Sequence, residues 1–182
     1  MRIFLLVLML LPGPVAAADF CHEMWFNRNL VFDRAGYCFG SALGQAVFDN
    51  SDCTGTEVVL SAQDQAKVDA IRAEEGNCAV ETDGTELNVH GVSFRKQMVD
   101  LPIPVGDESM CLGWLGEPLP LRLGHSAEAP VGGMAERGDN LLDQHAVVGD
   151  WSYVEVFRDG EVVGVGWVPG FDWGAMCADI AG

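Results

Sequence analysis

Apolar residues recur at helical spacing over residues 22–35, where Trp25, Leu30 and Phe32 fall near one face with Phe26 beside it. Gly36 follows as a left-handed stop. Tyr37-Cys38-Phe39-Gly40 is a tight connection, and Ser41 caps a second, short helix over residues 42–48, which Gly44 weakens. Asp49-Asn50-Ser51-Asp52 reads as a turn. Ser61-Ala62-Gln63-Asp64 has capping-box spacing and opens a third helix, with Ala62, Val68 and Ile71 inward and Gly76 at its end. Glu74 and Glu75 in its last turn oppose the helix dipole. Residues 79–98 predict extended chain, with turns at Asp83-Gly84 and His90-Gly91.

After the proline-interrupted run Leu101-Pro102-Ile103-Pro104-Val105-Gly106-Asp107, the pattern becomes one of strands. Residues 119–123 and 140–148 are short extended runs. In residues 151–157, Trp151, Tyr153 and Phe157 alternate against Val154 and Val156. Asp159-Gly160 then turns the chain into a second strand over residues 161–168. Short strands at this spacing predict a small barrel. The expected fold class is therefore α+β. A helical, disulfide-stapled module (residues 19–98) and a linker (99–109) precede a small β-barrel module (110–182).

The N-terminus changes the picture of where the chain works. Met1-Arg2, the apolar run 3–11, the break Pro12-Gly13-Pro14 and Val15-Ala16-Ala17-Ala18 follow the order of a cleavable signal peptide. Residues 1–18 are expected to be removed after Ala18, giving a periplasmic or secreted protein. The apolar run is far shorter than the roughly 20 residues of a membrane span. Asp and Glu number 27 against 10 Lys and Arg, for a net charge of −17, and losing Arg2 makes the remainder one unit more negative. Such a field repels nucleic acid and anionic lipid and favours basic partners.

Six cysteines, all after the leader, predict three disulfides in an oxidising compartment. Sequence alone leaves 15 pairings open. With four cysteines before residue 80 and two after 110, a two-module chain pairs Cys111 with Cys177, and Cys38–Cys53 with Cys21–Cys78 is favoured in the first module. There is no CxxC or HxxxH pair, so no zinc site is expected, and neither a metal site nor a cofactor is assigned.

Two stretches resemble known families. Arg28-Asn29 followed by Phe32-Asp33-Arg34-Ala35-Gly36 resembles the YARHG domain of exported bacterial proteins, named for a Tyr-Ala-Arg-His-Gly run after an Arg-Asn pair. Arg34 and Gly36 agree and Phe32 is a conservative exchange, whereas Asp33 and Ala35 depart, so the family's histidine is absent. The resemblance implies a small helical extracytoplasmic module associated with the cell wall. Pro120-Leu121-Arg122-Leu123, Arg137-Gly138-Asp139, Gly149-Asp150-Trp151 and Gly166-Trp167-Val168 are similar to motifs of bacterial Src-homology-3-like domains. That resemblance implies a five- or six-stranded barrel, a type that often binds wall peptides.

The chemistry legible in the sequence is that of binding. Trp151, Tyr153 and Trp167 are candidates to line an aromatic groove for an extended peptide, against a competing role as barrel core and rim. Arg28, Asn29 and Arg34 are candidates for a polar pocket receiving a ligand carboxylate. No catalytic residues are assigned: His22-Glu23 lacks the second histidine of a zinc protease, the serine of Gly40-Ser41-Ala42-Leu43-Gly44 is misplaced for a nucleophile elbow, and His90, His125 and His145 have no partners at fixed spacing. Asp49, Asp52, Asp139 and Asp143 sit in loops that leave calcium open, without the 12-residue helix-loop-helix pattern. The expected function is an exported, non-catalytic binding module for a cell-envelope ligand, wall peptide or protein. The alternatives are a protein–protein inhibitor or secretion accessory with an acidic face, and a hydrolase with an unrecognised carboxylate site.

Overall fold

The computed structural model describes residues 20–76 and 78–182; the expected leader, residues 1–18, lies outside them. Helix α1 (Phe20–Arg34) buries Met24, Trp25, Phe26, Leu30 and Val31. It stops at Gly36, whose φ of +84° favours glycine; a Cβ there would also sit 2.7 Å from Thr54 Oγ1. Ser41 caps α2 (Ala42–Val47) by accepting from the Gly44 amide, and a 3-10 turn (Asn50–Asp52) follows. Ser61 caps α3 (Ala62–Glu75) by accepting from the Asp64 amide, and Val68 and Ile71 are its buried residues.

Residues 79–98, expected to be extended chain with turns, form no strand. Their backbone groups are taken by helix ends and side chains instead of a ladder: Leu43 N–H donates to Thr82 O, and Asn88 N–H to His22 Nδ1. The stretch ends in a short helix, α4 (Val92–Arg95).

Seven strands complete the chain, with a short helix between the last two: β1 (Pro104–Trp114), β2 (Leu119–Arg122), β3 (Val131–Ala135), β4 (Asn140–His145), β5 (Trp151–Arg158), β6 (Glu161–Pro169), α5 (Trp173–Met176) and β7 (Cys177–Ala181). They form one antiparallel sheet in the order β3-β2-β6-β5-β4-β1-β7. Its ends, β3 and β7, do not pair among the described residues, so the closed barrel expected from the sequence is not shown. Residues 104–109, expected as linker, are instead the first half of β1. Pro104 is tolerated as the first residue of the strand, where its missing N–H interrupts no ladder. Asp159 (φ 54°) and Gly160 (φ 85°) are both left-handed, the requirement of a two-residue hairpin turn between β5 and β6.

The register assigns the two faces of the sheet. Tyr153 pairs with Trp167 and Glu155 with Val165, while Val154 and Val156 pair with Gly166 and Gly164 on the other face. Tyr153, Val165 and Trp167 share one buried cluster with Trp25, Phe26, Leu30, Leu43 and Phe48 of the helical segment and with Met98 and Leu101. The helices and the sheet therefore share a core. The opposite face, with Val154, Val156, Val168, Leu121, Leu141, Trp114 and the Cys111–Cys177 pair, forms a second cluster. Leu121 reaches it because β6 offers glycines beneath it: a Cβ on Gly164 would lie 2.8 Å from Leu121 Cδ1. The other disulfides, Cys21–Cys78 and Cys38–Cys53, tie α1 to the chain after α3 and the α1–α2 connection to the residue after the 3-10 turn. Among the described residues no helix is long and apolar enough to cross a membrane.

Candidate functional site

Between the helical layer and the sheet lies a set of charged side chains that the core cannot bury unless each finds a partner. Glu23 (α1), Arg95 (α4) and Glu155 (β5) are at most 1 % exposed. The Arg95 guanidinium sits between the two carboxylates: Nη1 donates to Glu23 Oε1, Nη2 to Glu155 Oε1 at 2.6 Å, and Nε to the His90 carbonyl at 2.8 Å. Gln144 on β4 splits its amide, donating to Glu23 Oε2 at 3.3 Å and to Glu155 Oε1 at 3.1 Å. His145 Nε2 meets Glu23 Oε1, and His90 Nδ1 lies 2.9 Å from Glu155 Oε2. Each carboxylate thus engages three side chains. Tyr153 closes the cluster, with its ring centroid 5.3 Å from Arg95 Cζ and 4.6 Å from the His145 ring.

The electrostatics follow from this geometry. Burial alone would raise the Glu23 carboxyl, but the Arg95 charge and the His145 contact outweigh it and hold the group at about 2, against an ordinary 4.5. Burial would depress the Arg95 guanidinium, but Glu23 and Glu155 hold it above its ordinary value, and burial pushes the Tyr153 hydroxyl up. Ionised Glu23 can only accept, so His145 Nε2 carries the proton of their bond. Glu23, His145 and Glu155 place ligand-type atoms within 4.8 Å of one another, the spacing of a metal site. In this cluster it is the guanidinium, bonded to both carboxylates, that supplies the cation.

A measurable consequence is acid sensitivity. Between pH 4.5 and 2 the unfolded carboxyl binds its proton while the folded one does not, so stability falls as pH drops through that window. The group's share is roughly 3 kcal/mol, fully present above the window. Urea unfolding of the parent and of Glu23→Gln should show a gap that narrows over this range; a gap constant with pH would contradict the assignment.

Two of the histidines also reach concave surface. His90, half-buried, lines a groove of about 720 Å³ together with Val47, Val89, Val92, Phe94 and Val162, and Lys96 and Glu161 are its charged members. His145 lines a smaller pocket of about 260 Å³ between β1, β4, β7 and α5.

The residues singled out from the sequence lie elsewhere, with local roles. Arg28 Nε is 3.2 Å from Glu75 Oε1 on α3, Asn29 donates to the Trp25 carbonyl of its own helix at 2.7 Å, and Arg34 donates to the carbonyls of Lys96 and Met98. Arg28, Asn29 and Arg34 are not brought together into one pocket. Tyr153 and Trp167 are 0 % and 1 % exposed, pair across β5 and β6, and belong to the shared core; Trp151 packs against its margin. They present no aromatic groove to solvent. Asp49 accepts from the Ser51 amide, and Asp139 pairs with Arg158 through two 2.8 Å hydrogen bonds. The cluster around Arg95 escaped the sequence because its members are scattered over 130 positions with no spacing rule. One signal was available: Glu155 fills the missing place in the alternation Trp151, Tyr153, Phe157, a carboxylate on the inward face of a strand.

Two family models match the chain, one after the other. Residues 77–182 match the domain of unknown function DUF4453. The chain belongs to the DUF4453 family. Residues 5–75 match the YARHG domain. The DUF4453 match begins just past α3, so it takes in α4 and Arg95 as well as the whole sheet, while Glu23 comes from the YARHG part. The match found over the strands is DUF4453, where a Src-homology-3-like domain was expected from their motifs. No curated protein and no solved structure matches the chain.

Proposed function

We propose that this protein is an extracytoplasmic, non-catalytic binding module whose ligand is an extended peptide of the cell envelope. The groove between α2, α4 and the start of β6 carries the reading. It is apolar along Val47, Val89, Val92, Phe94 and Val162 and holds one cation, Lys96, and one anion, Glu161. An extended peptide meets such a surface with alternate apolar side chains and charges of both signs. Three disulfides and the leader pattern of residues 1–18 support an oxidising location outside the cytoplasm. The likeness of residues 119–169 to Src-homology-3-like domains, which often bind wall peptides, points the same way. The saturation of the histidine–carboxylate cluster by Arg95 argues against its use as an acid–base pair.

Co-sedimentation with purified sacculi, and titration with their released peptides, tests this. Val162→Glu, or Ser93→Trp on the exposed α4 surface, should lower the apparent affinity about tenfold, the loss of one buried apolar contact. Absence of retention, or retention indifferent to both substitutions, rejects the groove. The net charge of −17 favours a second reading, capture of a basic protein by the acidic surface. Retention that collapses with salt while surviving both substitutions would select it.

A further inference from the structure

The β-ladder has a gap beside the groove. β2 and β6 meet at one registered pair, Arg122 with Trp167. The chain then turns away from β6: the Leu123 carbonyl accepts from the Val99 and Asp100 amides at 2.7 and 3.2 Å, and the Leu123 amide donates to the Pro130 carbonyl. The start of β6 therefore has β5 on one side and no strand on the other among the described residues. An inner strand of the sheet thus carries a stretch of open edge, and its Glu161 and Val162 line the groove.

The hairpin decides which backbone groups face that opening. The left-handed turn Asp159-Gly160 closes on the pair Arg158–Glu161. Bonded and non-bonded pairs alternate along an antiparallel ladder, so the next pair, Phe157–Val162, turns its N–H and C=O groups outward. For Phe157, outward is toward β4, where it pairs with Asn140. For Val162, outward is the gap, and no backbone group outside the ladder bonds to it among the described residues. Just beyond, Val156 pairs with Gly164, so Val163 is left out of register. A bulge of this kind bends the strand and ends regular pairing. The Val162 side chain packs against the shared core on the groove side. One residue thus offers an apolar contact together with a donor and an acceptor in strand register.

We propose that the peptide joins the sheet as an added strand on this open edge of β6, its main chain exchanging both hydrogen bonds with Val162. Every second side chain of an added strand falls on the side of Val162, where Val92 and Phe94 line the groove. The inference rests on the groove reading and adds the class of ligand. The ligand is an extended chain with a free main-chain N–H at the residue facing Val162, whatever side chain that residue carries. Helical segments, and peptides with proline or an N-alkylated residue at that place, are excluded.

The test is amide hydrogen exchange of the intact, disulfide-bonded protein, read residue by residue by NMR. In the free protein the Val162 amide should exchange at least about a hundredfold faster than that of Val156, which has strands on both sides. Saturation with the peptides released from sacculi should slow Val162 about tenfold or more. Val162→Pro removes an N–H that points away from β5, so the hairpin ladder survives. Its affinity for the released peptides should fall about tenfold, against about threefold for Val162→Ala, which keeps the N–H. Retained protection of β5 shows that the proline variant is folded; if protection is lost, exchange in the parent decides alone. A Val162 amide already protected in the free protein would overturn the added strand. So would peptide binding that leaves its exchange unchanged, or equal losses for proline and alanine in folded variants, and in all three cases the groove reading stands. Absence of any peptide binding would overturn both.

Discussion

Arg95→Met is expected to lower the unfolding free energy by about 3–5 kcal/mol, the range for removing one partner of a buried ion pair. The substitution keeps most of the side chain's apolar volume and deletes the charge that Glu23 and Glu155 share. Both carboxylates are enclosed, so water cannot replace the guanidinium. Gln144 supplies only one N–H to each, and the histidines meet one carboxylate apiece. For a chain of this size about 1 kcal/mol corresponds to 2–4 °C, so the melting temperature should drop by about 10 °C or more. Arg95→Lys should recover little, because one ammonium cannot span two carboxylates and the His90 carbonyl at once. Adding Glu23→Gln to Arg95→Met should cost less than the sum of the two single changes, since the second change removes a charge the first left unpaired. Strict additivity, or a melting temperature within about 2 °C of the parent, would mean that Arg95 does not hold this cluster together.

The cluster also shows what a linear reading captures. Helix ends were legible because they are decided within four residues: Ser41, Ser61 and Gly36 act on their own neighbours, and each sits at its helix end in the structure. The β5–β6 hairpin was legible for the same reason, since Asp159-Gly160 and the flanking alternation are local. The mixed helix-and-sheet class followed from these parts. Less visible were β1, hidden behind Pro102 and Pro104; β3, whose Gly132-Gly133 has low strand propensity; and β7, with one buried residue in five. Their strand state is imposed by neighbours far along the chain. The same holds for side chains. Tyr153 and Trp167 looked like groove residues when only the sheet's own pattern was considered; α1 and Met98–Leu101 cover that face and turn them into core. Glu23, His90, Arg95, Gln144, His145 and Glu155 become one chemical group only after α1 lies across β4 and β5.

That placement explains why a two-module description does not capture the energetics. The YARHG match ends at residue 75 and the DUF4453 match starts at 77, yet hydrogen bonds cross between the parts. Arg34 of α1 donates to the Lys96 and Met98 carbonyls, Asn27 donates to the Pro102 carbonyl at 2.9 Å, and Glu23 is held by Arg95 and His145. Apart from the exposed bond of Arg34 to Lys96, these contacts join buried or half-buried polar groups that must find their partners in the other segment. The helical layer thus acts as the cover that lets the inward face of β4 and β5 carry charge.

The second large effect is expected at the far edge of the sheet. Replacing Cys111 and Cys177 together by alanine should remove about 4 kcal/mol, the chain-entropy value for a closed interval of 66 residues. β7 pairs only with β1, and Cys177 is its one buried residue, so the bond to Cys111 is what anchors it. Loss of the bond should free β7 first: amide exchange along 178–181 should speed up by orders of magnitude while β5 and β6, paired on both sides and buried, remain protected. The same exchange of Cys38 and Cys53, which lie 15 positions apart, should cost about 3 kcal/mol and leave β7 untouched. Protection of β7 that survives the double substitution would show that backbone pairing with β1 holds the edge unaided.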